Sequence, residues 1–555
     1  MAIYTGAEIA IRLLERQGIK IIAGIPGGPI LPFYDALSQS DSITHILARH
    51  EQGAGFIAQG LARSTGLPAV CVASSGPGAT NLLTSIADAK LDSIPLIAIT
   101  GQVPQYMIGT DAFQEVDTYG LSLPITKHSF LVKSAAELLE VIPRAFNIAM
   151  SERPGPVLID LPKDVQLEKL ELDKWPDPGL KNESAKPDIH SLESAAALIN
   201  TAKRPILYLG GGIVHSDAAE LSKTLAEKSS IPAVMTLMGL GVLPVNHKLS
   251  LGMLGMHGAR YTNLALDEAD LLIVIGARLD DRATGKIEQF CPRAKLIHID
   301  IDHSEIGKLR MPHLAIVGDA SIVLKELLPM INQNERSGWT SRVSALKASH
   351  PLLKPGLGDI TTHFGLIDSV SKSLKEDAII VTDVGQHQMW VAQSYPLSRS
   401  RHWLTSGGLG TMGFGLPAAI GAALAHPEKT IVCFTGDGSI LMNIQELATA
   451  AELNLNIKIV LMNNRSLGMV HQQQAMFFGR RIYASKYQIA PMFTKVAEGF
   501  GIETVDLDFE ASPVFALENA LKSYGPTLIH SSIDVEHQVL PIVPPGAANT
   551  EMIGG

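Results

Sequence analysis

Two polar motifs in the last third of the chain could hold a metal ion beside a diphosphate. The sequence GDGS at 436–439 follows one apolar run, and Asn464, the second residue of an Asn pair, follows the next apolar run. Neighbouring parallel strands end at one edge of a sheet, so the Asp437 carboxylate and the Asn464 carbonyl would meet there and suit Mg²⁺. Gly436 and Gly438 would let backbone N–H groups approach a diphosphate. The alternative is a pair of ordinary strand-end turns.

A second glycine-rich motif, GLGTMG at 408–413, matches the dinucleotide fingerprint G-x-G-x-x-G. That fingerprint needs a strand before it, a helix after it and an acidic residue at the end of the next strand. The acid available for this role is Asp437, which belongs to the stronger motif. A nicotinamide site is therefore disfavoured.

The elements that position these motifs are predicted from short β-branched or aliphatic runs alternating with helical patterns, which indicates parallel sheets built from βαβ units. The predicted strands lie within 69–74, 95–100, 155–160, 204–210, 270–277, 378–383, 430–437 and 457–464. Two polar, proline-containing stretches, 166–188 and 332–360, interrupt this pattern and are predicted to be linkers, the second with some helix. We therefore predict an α/β protein with three doubly wound parallel-sheet domains, at 1–165, 189–331 and 361–540, followed by a C-terminal arm at 541–555, a surface arm or lid.

Composition excludes several classes of protein. The 555 residues carry a net charge of −10, whereas nucleic-acid binders are usually basic. The three cysteines, Cys71, Cys291 and Cys433, have neither the number nor the spacing of a disulfide framework or a zinc site. No apolar stretch is long enough to cross a membrane, and the N-terminus has helical spacing unlike that of a signal peptide. We expect a cytoplasmic protein without nucleic-acid or membrane partners.

The GDG and NN pair resembles the signature of thiamine-diphosphate enzymes. Glu51, in the sequence RHEQGA, resembles the glutamate with which that superfamily activates the aminopyrimidine ring of the cofactor. Met412 resembles the bulky residue that forces the cofactor to bend. The resemblance implies a Mg²⁺ site formed by Asp437, Asn464 and the carbonyl of Ser466.

Within that superfamily the chain is most similar to the catalytic subunits of acetohydroxyacid (acetolactate) synthases, over essentially its whole length. The matching segments occur in order at 25–37, 74–82, 100–117, 153–165, 251–258, 276–286, 383–390 and 405–425. The resemblance implies that pyruvate is decarboxylated and joined to a second pyruvate or to 2-ketobutyrate. The products are 2-acetolactate and 2-aceto-2-hydroxybutyrate, in the first common step of branched-chain amino acid biosynthesis. It also implies a bound FAD with no redox role, a homodimer or dimer of dimers, and a small regulatory subunit.

The resemblance assigns site residues position by position, and the three blocks become pyrimidine-binding, FAD-binding and diphosphate-binding domains. The residues assigned to catalysis and substrate contact are Glu51, Gly28, Gln114, Lys163 and Arg282. The residues assigned to thiamine diphosphate are Pro26, Pro77, Asn81, Val384, Gly385, Gln386, His387, Gly410, Met412, Gly436, Gly438, Ser439, Gly468 and Met469. The residues assigned to FAD are Arg153, Gly210, Gly211, Gly212, Thr236, Leu237, Met238, Leu254, Gly255, Met256, His257, Gly276, Ala277, Arg278, Asp280, Arg282, Asp300, Ile301, Asp319 and Ala320.

Two positions depart from the family pattern. Gln473 occupies the position of a tryptophan that favours 2-ketobutyrate through contact with its extra methyl group, so we expect a weak preference between acceptors. This glutamine, the IPGG form at 25–28 and the VPPGAANTEM sequence of the tail are typical of the enterobacterial isozyme I subgroup. Arg465, after the Asn pair, replaces the usual acidic or small residue.

Other functions remain open on the sequence alone. A relative of pyruvate oxidase or oxalyl-CoA decarboxylase would share the thiamine motif. Glyoxylate carboligase is disfavoured because an apolar residue replaces its activating glutamate, whereas Glu51 is present. A catalytically silent FAD-binding protein is the non-enzyme alternative, and the intact Glu51, Asp437 and Asn464 argue against it.

Overall fold

The computed structural model describes residues 2–374, 377–489 and 491–554. It confirms the predicted α/β class: the chain forms three six-stranded sheets in which every pair of neighbouring strands is parallel. Each of the eight predicted runs contains a strand. Buried parallel strands are apolar on both faces, which explains why these runs carry so strong a sequence signal.

The N-terminal sheet has its carboxyl edge near Glu51 and Pro77, where two helices begin. Its strands, in spatial order, are Thr44–Leu47, Ile21–Gly24, Ala69–Ala73, Leu96–Gln102, Val157–Pro162 and His128–Leu131. Its α-helices are Gly6–Arg16, Leu31–Leu37, Glu51–Thr65, Pro77–Leu91, Thr118–Ser122, Leu138–Met150 and Lys163–Leu167.

The central sheet has short glycine-rich turns after two of its strands. Its strands, in spatial order, are Ser250–Met253, Ala233–Met235, Pro205–Leu209, Leu271–Ile275, Lys295–Asp300 and Leu314–Val317. The α-helices of this region are Ile189–Thr201, Gly211–His215, Ala219–Ser229, Arg260–Glu268, Asp281–Thr284, Ala320–Leu327 and Ser337–Ser349.

The C-terminal sheet places the GDG and NN motifs at the ends of two adjacent strands. Its strands, in spatial order, are Trp403–Leu404, Ile379–Thr382, Ile431–Gly436, Ile457–Asn463, Thr527–Ser532 and Glu503–Asp506. Its α-helices are His363–Ser373, Gln386–Ser394, Gly415–Ala425, Asp437–Ile440, Glu446–Glu452, Gly468–Phe477, Phe493–Gly499 and Pro513–Lys522.

The N-terminal and C-terminal sheets share a core through two closely packed helices, Glu51–Thr65 and Gly415–Ala425. A Cβ atom added at Gly60 would lie 2.1 Å from the Ala418 carbonyl oxygen, and one at Gly421 would lie 2.0 Å from the Ile57 carbonyl oxygen. Only glycine allows two helix backbones to approach so closely. This contact fixes the helix that begins at Glu51 against the C-terminal sheet.

The two stretches predicted to be linkers differ in how well the structure matches the prediction. Stretch 332–360 contains helix Ser337–Ser349, as predicted. Stretch 166–188 contains a strand, Lys169–Leu172, which pairs antiparallel with Ala2–Thr5 and which the sequence analysis missed. The C-terminal arm packs on the central region: Val543 N donates to the Met256 carbonyl oxygen at 2.9 Å. In the part of the chain that the structure describes, no helix combines the length and apolarity needed to cross a membrane.

Candidate active site

The Asp437 carboxylate and the Asn464 amide oxygen converge at the edge of the C-terminal sheet. The backbone N–H of Ser466 donates to Asp437 Oδ2 and to Asn464 Oδ1, each at 3.1 Å. Asp437 begins the short helix that follows strand Ile431–Gly436, and Asn464 follows the adjacent strand, paired in parallel. The predicted metal ligands therefore lie side by side, as hard oxygen donors.

Two features fit this pair to a divalent cation. Burial raises the pKa of Asp437 to about 6, so a nearby positive charge would stabilise its carboxylate. Asn464 Nδ2 donates to Gln386 Oε1 at 3.0 Å, which directs Oδ1 toward Asp437. A Cβ atom at Gly468 would lie 2.1 Å from Gln386 Oε1 and 2.4 Å from Asn464 Nδ2, so a glycine is needed there to leave room for this hydrogen bond.

A large cavity of about 820 Å³ opens beside this pair and continues between the central and C-terminal sheets. Each metal-ligand candidate, Gln473, and every thiamine-diphosphate candidate after residue 380 lines it. The Met412 side chain faces the GDG turn, because a Cβ atom at Gly438 would lie 3.6 Å from Met412 Cε. His387 also lines the cavity, and its buried Nε2 has no hydrogen-bond partner among the residues that the structure describes. An orphaned buried nitrogen at a cavity wall fits a ligand that supplies the missing partner.

The other end of the cavity is lined by the residues assigned to FAD, except Gly210 and Gly255. A Cβ atom at Gly210 would lie 2.2 Å from the Gly276 carbonyl oxygen, and one at Gly255 would lie 2.3 Å from the Arg282 carbonyl oxygen. These two glycines permit close backbone packing behind the cavity wall. The carboxylate of Asp300 faces this end, and burial raises its pKa to about 6. Such a carboxylate fits a ribose hydroxyl donor.

Arg153 and the start of one helix complete the end of the cavity that is lined by the residues assigned to FAD. Arg153 donates to Ser93 Oγ at 2.9 Å and to Glu305 Oε1 at 2.8 Å, which fixes its guanidinium at the wall. Asp319 accepts from the backbone N–H of Ser321 at 2.9 Å and caps the N-terminus of helix Ala320–Leu327. The carboxylates at this end therefore suit a ligand with sugar hydroxyls.

The residues of the N-terminal region that were assigned to catalysis and to thiamine diphosphate lie outside this cavity. None of Glu51, Pro26, Gly28, Pro77, Asn81, Gln114 and Lys163 lines the cavity. Glu51 Oε2 accepts a hydrogen bond from Asn81 Nδ2 at 2.9 Å. A Cβ atom at Gly76 would lie 3.0 Å from the Gln114 Cα atom, so the segment carrying Gln114 packs on the turn before Pro77.

Two serines that the sequence analysis gave no role lie among this group of N-terminal residues. The buried hydroxyls of Ser74 and Ser75 have no hydrogen-bond partner in the described chain. Ser74 packs against Gly27, where a Cβ atom would lie 2.5 Å from Ser74 Cβ. Both serines are buried within the single chain and belong to the packing of this group.

Asp383 is a further residue that the motifs did not identify. Its fully buried carboxylate accepts from the backbone N–H of Val384 at 2.9 Å and of Gly413 at 2.8 Å. It therefore joins the turn after strand Ile379–Thr382 to the Met412 loop. In the sequence it ends a predicted strand and begins the family-like segment 383–390, but no role was assigned to it.

Family models and relatives agree with this geometry. The N-terminal TPP binding domain of thiamine pyrophosphate enzymes matches residues 4–121, the central domain matches 192–327, and the C-terminal TPP binding domain matches 383–531. The three parallel sheets and the paired Asp437 and Asn464 therefore define a thiamine pyrophosphate enzyme.

The full-length relatives specify the family. The chain is 60% identical over 553 residues to the acetolactate synthase isozyme 1 large subunit of Escherichia coli (strain K12). The match covers 99% of this chain and 98% of that protein. It is 46% identical over 548 residues to the isozyme 2 large subunit of the same organism, covering 99% of each chain. It is 43% identical over 566 residues to a chloroplastic acetolactate synthase of Nicotiana tabacum, covering 99% of this chain and 84% of that protein. The chain belongs to the acetolactate synthase large-subunit family, which confirms the family predicted from the sequence.

Proposed function

We propose that this chain is the catalytic subunit of an acetolactate synthase of branched-chain amino acid biosynthesis. It decarboxylates pyruvate and joins the remaining two-carbon unit to a second 2-keto acid. Pyruvate as acceptor gives 2-acetolactate, and 2-ketobutyrate gives 2-aceto-2-hydroxybutyrate. The observation that carries the proposal is the convergence of Asp437 and Asn464 on one point of the cavity in a chain with full-length acetolactate synthase relatives.

The cofactors of the proposed reaction are thiamine diphosphate, Mg²⁺ and FAD. When bound, thiamine diphosphate supplies the electron sink for decarboxylation. Asp437, Asn464 and the Ser466 carbonyl would hold Mg²⁺, while Ser439 and the N–H groups of the GDG turn would bind the diphosphate. The end of the cavity around Asp300 and Arg153 would hold FAD in a non-redox role.

The chain's own residues then have distinct tasks. Glu51, anchored by Asn81, would exchange a proton with the aminopyrimidine ring. Gly28 and Gln114 would bind substrate oxygens, and Arg282, whose side chain is 68% exposed at the cavity mouth, would bind a keto-acid carboxylate. Lys163, which does not line the cavity of its own chain, would contribute a second cation at the mouth of the site in a second copy.

The separation of Glu51 from the cavity supports a homodimer or a dimer of dimers. Glu51 would serve the cavity of a second copy, whose Asp437 and Asn464 hold the cofactor of that site. We propose in addition a small regulatory subunit, because the relatives are named large subunits, and a cytoplasmic location.

The proposed division of the chain follows the sheets. Residues 1–165 bind the pyrimidine ring, 189–331 bind FAD, and 361–540 bind Mg²⁺ and the diphosphate. The arm at 541–555 braces the FAD end of the cavity through its contact with Met256.

One assay tests the proposal. The purified chain is incubated with pyruvate, thiamine diphosphate, Mg²⁺ and FAD, and acetoin is measured after acid decarboxylation of the product. Omitting each cofactor in turn is the internal control, and acetoin is expected only in the complete mixture. Reduction of the flavin, or acetaldehyde without acetoin, would contradict the proposal and favour an oxidase or a simple decarboxylase.

A further inference from the structure

A buried ion cluster that no motif identified connects the N-terminal sheet to the cofactor cavity. Arg63 Nη2 contacts Asp88 Oδ1 at 2.9 Å and Asp92 Oδ2 at 2.8 Å, and all three side chains are at most 4% exposed. Burial is the main cause that raises the pKa of Asp88 to about 6; Asp92 adds to the shift and Arg63 opposes it. The same guanidinium donates through Nη1 to the Thr405 carbonyl oxygen at 3.0 Å, across to the C-terminal region.

Asp92 binds the backbone of the C-terminal region directly. Its Oδ2 accepts from Gly407 N at 3.0 Å and its Oδ1 accepts from Gly408 N at 2.7 Å. A Cβ atom at Gly408 would lie 2.8 Å from Leu91 Cβ, so the backbone lies directly against the end of helix Pro77–Leu91. These contacts fix the main chain of residues 405–411, here called the cofactor turn.

Asp88 binds the side chains of the same turn. Its Oδ2 accepts from Thr411 Oγ1 at 2.9 Å and from the Ser406 hydroxyl. Ser406 Oγ in turn accepts from the backbone N–H of Thr411 at 2.9 Å, which closes the turn on itself. The next residue is Met412, which lines the cavity together with Gly410.

The chemistry of the cluster points to positioning. Two carboxylates and one guanidinium leave a surplus negative charge in a buried place, and apolar residues of similar volume would often be as stable. The donors that satisfy this surplus all belong to the cofactor turn, whose geometry they therefore restrict. Each donor is lost if the turn moves away.

We propose that Asp88 and Asp92, oriented by Arg63, are positioning residues that fix the cofactor turn, and so Met412, from the N-terminal region of the same chain. This inference rests on the proposed thiamine-diphosphate site in the cavity. The cluster also has contacts outside the turn: Arg63 donates to Gln59 Oε1 at 2.7 Å and lies 4.8 Å from the centre of the Phe414 ring, and Asp92 lines the cavity. It acts on the cofactor through the turn, by way of Gly410 and Met412.

The test uses variants on the turn side, where the buried ion pair is left intact. Ser406→Ala with Thr411→Val removes the two hydroxyls that bind Asp88. We expect thiamine-diphosphate binding, measured by titration in the presence of Mg²⁺, to weaken about tenfold, since each lost hydrogen bond is worth a factor of several. FAD affinity and the urea midpoint of unfolding should change little, and Thr411→Ser, which keeps the hydroxyl, should bind as wild type.

The matched control removes two other buried hydroxyls. Ser222 donates to the Ala218 carbonyl oxygen at 2.8 Å and Thr262 donates to the Leu251 carbonyl oxygen at 2.6 Å, both within the central region. Ser222→Ala with Thr262→Val should leave thiamine-diphosphate affinity unchanged. Wild-type affinity in the turn variant, or an equal loss in the control, would overturn the proposal.

A double-mutant cycle supplies the second readout. Asp88→Asn and Thr411→Val should be non-additive in thiamine-diphosphate binding, because each removes the same contact. Additive effects would overturn the proposal. Wild-type protein is run in the acetoin assay alongside. If it makes acetoin but the variants bind thiamine diphosphate normally, the positioning role of Asp88 and Asp92 is wrong and the proposed function stands. If wild type binds no thiamine diphosphate, the proposed function fails, and the positioning role fails with it.

Discussion

Glu51 and Asn81 form a hydrogen bond between two helices of the N-terminal sheet, with Asn81 Nδ2 donating to Glu51 Oε2 at 2.9 Å. Glu51 is the first residue of helix Glu51–Thr65, and Asn81 lies near the start of helix Pro77–Leu91. The amide orients the carboxylate and leaves Oε1 beside Gly78, where a Cβ atom would lie 3.4 Å away. One oxygen is therefore anchored while the other can bind a ligand.

Glu51→Gln should lower turnover without loss of cofactor binding. The amide keeps the shape of the side chain but cannot exchange the proton, and general acid–base groups contribute about a hundredfold to ten-thousandfold. The measurements are kcat for acetolactate formation and the dissociation constants of thiamine diphosphate and Mg²⁺. The control is Glu140→Gln, at a side chain that is 75% exposed, which should leave both unchanged. Full activity in Glu51→Gln would exclude the proposed role of Glu51.

Gly468→Ala should weaken Mg²⁺ binding. The added methyl group would lie within 2.4 Å of both Gln386 Oε1 and Asn464 Nδ2, and would break the hydrogen bond that directs Asn464 Oδ1 toward Asp437. Disturbing a group that orients a metal ligand typically costs about tenfold to a hundredfold in affinity. Mg²⁺ titration at saturating thiamine diphosphate measures the effect. Gly338→Ala, at a helical glycine with open space around it, should leave Mg²⁺ affinity unaltered; an unchanged affinity in Gly468→Ala would argue against this role.

The strands that the sequence predicted carry uninterrupted apolar runs, and many of those it missed do not. Strands Lys295–Asp300 and Thr527–Ser532 are buried but were missed, because a histidine interrupts the apolar run of each. Runs such as 457–464 form strands that are buried throughout, and their continuous aliphatic pattern follows from that environment. Edge strands such as Thr44–Leu47 and Glu503–Asp506 are short and partly polar, so no apolar run marks them. Strand Lys169–Leu172 depends on pairing with Ala2–Thr5, a contact between distant parts of the chain that local pattern does not contain.

The residues of the candidate site also fall into those that the local sequence marks and those that depend on distant contacts. Asp437 and Asn464 were predictable because each follows a buried strand and because the motif resembles a known family. Arg63, Asp88 and Asp92 resemble ordinary surface charges in sequence, since their partners in the cofactor turn lie some 300 residues away. Their role depends on the packing of two sheets, which only the structure supplies.

Asp160→Asn should remove a pH dependence of stability. Burial is the main cause that raises the pKa of Asp160 to about 7, although Thr100 and Gln102 donate to its carboxylate at 2.7 and 3.0 Å. Because this pKa is above its value in the unfolded chain, about 3.9, the stabilising contribution is complete below that value and is lost as pH rises toward 7. The wild type should therefore lose free energy of unfolding relative to the variant between about pH 4 and about pH 7. Urea unfolding across this pH range measures the free energy of unfolding of both proteins. A difference between the two proteins that does not change with pH would contradict the prediction.

Gln473→Trp should raise the use of 2-ketobutyrate over pyruvate as acceptor. Gln473 lines the cavity on helix Gly468–Phe477, and an indole there would contact the additional methyl group of the larger acceptor. One methyl group in an apolar pocket is worth roughly 1–3 kcal/mol, or about tenfold to two-hundredfold in the product ratio. Competition between the two acceptors, with both products quantified, is the measurement. Gln473→Leu, apolar but smaller, is the control and should shift the ratio less; a strong 2-ketobutyrate preference in the wild type would contradict the role given to this position.

Gly421→Ala should destabilise the contact between helices Glu51–Thr65 and Gly415–Ala425. The added methyl group would lie 2.0 Å from the Ile57 carbonyl oxygen and 2.8 Å from the Leu61 nitrogen, and both are backbone atoms that cannot rotate away. Overpacking of this kind costs about 1–3 kcal/mol in the free energy of unfolding. The matched control is Gly499→Ala, at the end of helix Phe493–Gly499 with no atom within 4 Å, which should be neutral or slightly stabilising. Because the same contact fixes the helix that begins at Glu51, Gly421→Ala should lower kcat as well as the urea midpoint. Equal stability of the two variants would contradict the prediction.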